Sequence, residues 1–216
     1  LDPMAEGVLP IAIGKATKLI PYISNMNKEY EFTVTWGIQT TTDDAEGEIL
    51  FESSHLPKRK EIEKKIINYI GFISQIPPKV SAVKINGKRA YKLFRENKKF
   101  TIQPKKVFIK DLCITDHSIN KTSFKILCGQ GFYVRSLARD LAIDLKTYGH
   151  ISSLKRSKVG KFSEKNSILL DDLLKIGQTL EEINCISTTI SMLDDILAYE
   201  IEEKLDIENL SFGRSI

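Results

Sequence analysis

The chain has 216 residues, 42% hydrophobic and 28% charged, a composition typical of a soluble globular protein of one large or two small domains. No apolar run approaches the roughly 20 residues of a membrane-spanning helix. Cys113, Cys128 and Cys185 are odd in number and widely spaced, which makes neither a disulfide framework nor a zinc site and leads us to expect a reducing, cytoplasmic setting with no membrane partner.

The net charge of +4 conceals an asymmetry. Residues 51–110 carry sixteen Lys or Arg against four acids, a local +12, whereas residues 181–216 carry nine acids against Lys204 and Arg214, a local −7. Positive charge at that density attracts phosphate backbones.

The chain opens on Leu1-Asp2-Pro3-Met4-Ala5-Glu6-Gly7. Pro3 biases the residue before it toward an extended conformation, so Asp2 is expected on an extended or turn segment with its side chain projecting. Gly7 can supply the unusual backbone angle that ends the turn. Residues 8–13 read as a short apolar strand, placed at an edge by Pro10, and residues 15–23 have helical potential. Tyr30, Phe32, Val34 and Trp36 alternate with Glu31, Thr33 and Thr35, the period of a half-buried strand. A polar loop over residues 40–47 follows.

Residues 57–70 have the pattern of an amphipathic helix, with Ile62, Ile66 and Ile70 on one face and Glu61–Lys65 as an i,i+4 pair. Pro77 and Pro78 require the chain to have left the helix. Residues 79–106 are basic and irregular, with a hairpin signal at Asn86-Gly87 and a short helix over 91–95. Interleaved aromatics and cations suit a clamp on nucleic acid. Strands are expected over 106–113 and 123–128, a helix over 133–148 stopped by Gly149, a basic strand or turn over 154–162, and a short helix over 169–176. Arg135 would lie in the first turn of its helix, where the dipole disfavours a cation, so a compensating anion is required. The irregular alternation of strands and helices, with hairpin signals between strands, implies an α+β domain on a mixed, largely antiparallel sheet.

Several chemistries are absent from the pattern. Gly129-x-Gly131 lacks the third glycine of a dinucleotide motif, and no His-x-x-x-His or Cys-x-x-Cys occurs, so neither metal nor organic cofactor is expected. His55, His117 and His150 lie far apart, and His150 reads as structural or RNA-contacting. A carboxylate, two tyrosines, an arginine and much positive charge remain. A carboxylate can act at a sugar anomeric carbon or an activated pyrimidine ring, an arginine can orient it, and an enzyme acting on a base must flip it out of the stack.

Five segments, in this order, resemble the TruB-type tRNA pseudouridine-55 synthases: Leu1-Asp2-Pro3-x-Ala5-x-Gly7 with Gly14-x-Ala16-Thr17-Lys18; Lys28-Glu29-Tyr30; Thr42-x-Asp44-x-Glu46-Gly47; Gln75-x-Pro77-Pro78-x-x-Ser81-Ala82-x-Lys84 with Gly87-Lys88-x-Ala90-Tyr91; and Gly131-x-Tyr133-x-Arg135-Ser136-Leu137 with Leu154-Lys155-Arg156. The resemblance covers residues 1–165. It implies a pseudouridine-synthase core in which Asp2 is the catalytic carboxylate, Tyr30 stacks on the target base, Arg135 pairs with Asp2, and Tyr133 and Leu154 shape the pocket. Whether the carboxylate attacks C1′ or acts elsewhere is left open.

The basic insert 79–106 corresponds to the family's RNA-gripping loop, with Lys79, Lys84, Lys88, Arg89 and Arg95, joined by Lys155 and Arg156, as RNA contacts. The resemblance further implies a catalytic core over 1–190 lacking its N-terminal part and the start of a PUA-like RNA-binding domain over 191–216, the chain being truncated at both ends. The partner is the T-stem-loop of tRNA, and a monomer with no obligate protein partner is expected. A guide-RNA-dependent relative and a non-catalytic RNA-binding protein are the alternatives. The basic insert favours the stand-alone type, and Asp2, Tyr30 and Arg135 together favour catalysis.

Overall fold

The computed structural model describes residues 2–176, 186–188, 207–209 and 212. In chain order its elements are β1 (Glu6–Gly7), a 3-10 helix (Gly14–Leu19) leading into α1 (Ile20–Asn25), β2 (Lys28–Trp36), β3 (Ile38–Thr40), β4 (Ile49–Glu52), α2 (Arg59–Ile66) with a 3-10 turn (Ile67–Tyr69), and β5 (Gly71–Gln75). Then come β6 (Lys84–Ile85), β7 (Lys88–Arg89), α3 (Ala90–Arg95), β8 (Lys105–His117), β9 (Lys121–Cys128), α4 (Val134–Asp144), β10 (Gly149–Val159), β11 (Phe162–Ser163), a 3-10 turn (Glu164–Asn166) and α5 (Leu170–Ile176).

One sheet organises the molecule, in the order β1-β10-β2-β9-β8-β5 with β11 also on β10. Every pairing in it is antiparallel except β1 against β10. Two hairpins, β3–β4 and β6–β7, lie off this strand order, the first touching β10 through an Asp44–Ile151 bridge. This is the mixed, largely antiparallel α+β architecture expected from the sequence.

The alternation in β2 has its physical origin in one buried face: Phe32, Val34 and Trp36 lie in the core while the intervening Thr33 and Thr35 are only half-buried. Phe32 stacks on Phe124 of β9 at 5.2 Å between ring centroids. α4 covers this face with Val134, Leu137, Ala138, Leu141 and Ala142, and α2 adds Ile62 and Ile66. Burial of these side chains supplies the main drive for folding, at roughly 1.5–3 kcal/mol for each large one.

Several local expectations are corrected. Residues 8–13 form no strand. Edge pairing is limited to Glu6–Gly7, and Leu9, Ile11 and Ile13 are exposed. The helix expected over 57–70 ends at Ile66, so Ile70 is 46% exposed instead of joining Ile62 and Ile66. Glu61 does not pair with Lys65: its carboxylate accepts the Lys58 N–H at 2.6 Å and caps the helix, while Arg59 and Glu63 form the i,i+4 pair. The 40–47 loop is the tip of the β3–β4 hairpin. α4 stops earlier than residue 148, with Lys146 at φ 56° beyond its end, and Gly149 is the first residue of β10. The Asn86-Gly87 hairpin is present, with φ of 48° and 80° at its two turn residues. The expected PUA-like start at 191–216 lies outside the described residues, apart from 207–209 and 212.

Candidate active site

The N-terminus of α4 sets the geometry. Tyr133 is its N-cap, with extended backbone, and Arg135 follows in the first turn. Arg135 is 5% exposed. Its Nη2 donates to Asp2 Oδ1 at 2.8 Å, and its Nε lies 2.8 Å from Asp2 Oδ2. Nη1 donates to the Thr42 carbonyl at 3.0 Å and sits 3.4 Å from Asp44 Oδ2. Nη2 also donates to the Val80 carbonyl at 3.0 Å. The anion required beside Arg135 is therefore doubled, by Asp2 and Asp44. A buried guanidinium is tolerable only when charge and acceptors surround it in this way, and Nε, which faces Asp2 Oδ2 outside hydrogen-bond geometry, is held by charge alone.

Asp2 is anchored through the backbone of residues 5–8. The Ala5 N–H donates to the Asp2 carbonyl at 2.9 Å, closing a turn around Pro3. β1 then pairs with β10 through Glu6↔Lys155 and Gly7↔Arg156. The strap is reciprocal: the Val8 N–H donates to the Arg156 carbonyl and Arg156 Nε to the Val8 carbonyl, both at 2.8 Å. Gly7 has φ 103°, and a Cβ there would collide with the Arg156 carbonyl, so no other residue fits this crossing without moving a backbone.

Asp44 is 3% exposed and sits in the turn of the β3–β4 hairpin. Its Oδ1 accepts from the Thr42 hydroxyl and from the Glu46 N–H at 3.1 Å. The side chain is thus held rigidly with one oxygen turned to Arg135.

These groups line a cleft of about 560 Å³. Tyr30, between Ile126 and Arg156 on the neighbouring strands, and Leu154 form the sheet side. Tyr133 and Phe132 form the helix side. The opposite wall comes from the basic insert, through Val80, Ser81, Tyr91, Phe94 and Arg95. The Arg95 guanidinium lies 5.8 Å from the Tyr91 ring centroid. Burial raises the hydroxyl pKa of Tyr30 and of Tyr133, against the lowering effect of Arg156 on the first and Arg135 on the second. Both phenols are therefore neutral at physiological pH. The arrangement offers one oriented, half-exposed carboxylate, apolar and aromatic surface for a flat ring, and no group of three His, Cys, Asp or Glu that could hold a metal ion among the described residues.

Asp2, Tyr30, Tyr133, Arg135 and Leu154 are thus brought together in one cleft. Lys79, Lys84, Lys88, Arg89 and Arg95 are exposed on the insert, with Arg89 Nη1 donating to the Ala82 carbonyl at 2.6 Å. Lys155 and Arg156 are engaged locally, Lys155 with Glu164 at 2.7 Å and Arg156 with Val8. His150 is structural: its Nδ1 lies 2.9 Å from the Ile38 carbonyl. The sequence pattern does not single out Asp44, Thr42, Gln75 or Val80. Three of them lie inside the segments Thr42-x-Asp44 and Gln75-x-Pro77, which is the one signal the sequence carries for them.

Two family models match in tandem. One described as the N-terminal domain of TruB family pseudouridylate synthases covers residues 1–134, and one described as the tRNA pseudouridylate synthase B C-terminal domain covers residues 135–202. Proteins named tRNA pseudouridine synthase B are similar along most of the chain. That of Wolbachia pipientis subsp. Culex pipiens is 47% identical over 189 residues, covering 87% of this chain and 54% of the relative. That of Ehrlichia chaffeensis is 47% identical over 219 residues, covering 100% and 74% respectively. The chain thus spans little more than half the length of the Wolbachia relative. Among solved structures, a Cbf5-Nop10-Gar1 complex contains a chain of the same fold, with TM-score 0.66 at 22% identity, covering 89% of this chain and 50% of that one. With a fold of that kind, a paired carboxylate in its cleft and family models matching from residue 1 to residue 202, the chain belongs to the TruB family of pseudouridylate synthases.

Proposed function

We propose that the protein isomerises uridine 55 in the T-loop of tRNA to pseudouridine. The observation that carries this reading is the Asp2–Arg135 pair, two contacts of 2.8 Å, at the floor of a cleft lined by Tyr30. The reaction conserves every atom of the nucleotide. The C1′–N1 bond breaks, the uracil turns within the cleft, C5 bonds to C1′, C5 gives up its proton and N1 gains one. No cofactor or metal enters that balance.

Asp2 is the reacting carboxylate, aimed by Arg135 through two contacts of 2.8 Å. Tyr30 stacks on the flipped base, while Tyr133 and Leu154 close around the ring. The exposed cations Lys79, Lys84, Lys88, Arg89 and Arg95 grip the RNA backbone. The catalytic core spans residues 1–190, with 191–216 beginning a PUA-like RNA-binding domain. The protein works in the cytoplasm as a monomer without an obligate protein partner. The assembly named in the solved Cbf5 complex is the alternative, and the basic hairpin insert, which gives this chain its own grip on RNA, favours the stand-alone reading.

The test compares the full-length protein with its Asp2→Asn variant on a T-stem-loop RNA. The expected result is pseudouridine with the first and none with the second, while RNA affinity stays within about threefold because the change is isosteric. Full activity in the variant would remove Asp2 from the chemistry.

A further inference from the structure

α4 carries a second arginine one turn after Arg135. Arg139 Nη1 lies 3.4 Å from Asp43 Oδ2, its Nη2 donates to the Ile76 carbonyl at 2.8 Å, and its Nε donates to Asp140 Oδ1 at 2.9 Å. Two arginines at i and i+4 thus reach two adjacent acids of one hairpin turn: Arg135 meets Asp44 and Arg139 meets Asp43. Asp43 is poorly placed to be there by itself. It is 7% exposed and has φ 61°, a left-handed conformation that costs a non-glycine residue energy. Its backbone is nonetheless built into the sheet, because the Ile151 N–H donates to the Asp43 carbonyl at 3.1 Å and Asp44 bridges to Ile151. Burial raises the carboxyl pKa of Asp43, and Arg139 is the chief charge opposing that shift.

We infer that Arg139 is a positioning residue for the active-site pair: by neutralising Asp43 it holds the Thr42–Asp44 turn against α4, so that Arg135 receives Asp44 and the Thr42 carbonyl and keeps its remaining donors on Asp2. This rests on the catalytic reading of Asp2 and Arg135. Without Arg139, Asp43 keeps its side-chain hydrogen bond with Gln39 and has Arg135 as the other cation acting on it, so it competes with Asp2 for that charge. Asp140, the other acid beside Arg139, is on the same helix and cannot move the hairpin turn.

The experiment is a double-mutant cycle in the full-length protein with Arg139→Met, Asp43→Asn and both together. Removing one member of a buried pair costs far more than removing both. Arg139→Met is expected to lower kcat by about tenfold or more with KM little changed, and Asp43→Asn in the same chain to restore kcat to within about threefold of wild type. An arginine that contacts RNA gives no rescue by Asp43→Asn, and either that result or a fully active Arg139→Met overturns the inference, while a merely structural pair is rescued without moving the Arg135 signal measured next. A second readout needs no turnover: the NMR resonance of Arg135 Nε is expected to move in Arg139→Met and return in the double variant. Wild-type protein that makes no pseudouridine sinks the proposed activity, whereas an Arg135 resonance indifferent to Arg139 sinks the positioning role.

Discussion

Gln75 holds the backbone of Tyr133 at both of its polar groups. Its Oε1 accepts the Tyr133 N–H at 2.8 Å and its Nε2 donates to the Tyr133 carbonyl at 3.1 Å. Gln75 is 1% exposed, the last residue of β5, and Tyr133 is the residue from which α4 starts. The amide therefore sets where the helix begins and, two residues later, where Arg135 points. Replacing Gln75 with Met leaves a backbone donor without its partner. A loss of roughly 1–3 kcal/mol is expected in urea denaturation, with kcat falling more than RNA affinity.

Asp44→Asn removes one of the two carboxylates that neutralise Arg135 while preserving size. Charge-assisted contacts of this kind contribute about 1.5–3 kcal/mol, so the turnover rate on T-stem-loop RNA is expected to fall roughly tenfold to a hundredfold. Steady-state kinetics with RNA binding measured in parallel checks it, and unchanged turnover would show that Asp2 alone suffices for Arg135.

Gly7→Ala places a methyl group against the Arg156 carbonyl at a positive φ. The strain is expected to peel β1 from β10 and release Asp2. Activity should drop sharply, with a smaller change in melting temperature, because β1 contributes only two residues to the sheet.

Tyr69 donates to Asp144 Oδ2 at 2.9 Å, and burial, then that carboxylate, raises its pKa above the ordinary 10.0. A proton held more tightly by the folded state contributes stability that is complete below pH 10 and is lost as pH rises toward the folded value. Stability measured from pH 8 to 11.5 should decline beyond about pH 10 more steeply in wild type than in Tyr69→Phe. Equal slopes would place the alkaline loss elsewhere.

In the proposed reading the exposed basic insert supplies most of the grip on RNA, so RNA affinity should fall steeply with salt. Lys84→Gln and Lys88→Gln are each expected to reduce the slope of log affinity against log salt by about 1. A slope unaltered by both would take the grip off the β6–β7 hairpin.

The parts of the fold legible in the sequence are those where one face is buried. β2 alternates because Phe32, Val34 and Trp36 face the core, and β9 alternates for the same reason. β4 is invisible because all four of its residues are exposed, and without a buried face there is no period to read. β5 is obscured by Ile70, which continues the spacing of Ile62 and Ile66 although the chain has already turned into a strand. In the site, Arg135 stands out as a cation where the helix dipole needs an anion. Asp43, Arg139 and Gln75 give no such sign, because what they do depends on partners 96 residues away in the first pair and 58 in the second case.

Asp2 and Arg135 are separated by 133 positions along the chain. A contact spanning so much sequence forms only after the intervening strands have paired, and the loop entropy it closes is recovered late in folding. Asp2 is thus expected to meet Arg135 late in assembly. A partly folded chain exposes the cations of the basic insert before it has built the charge pair on which the proposed chemistry rests.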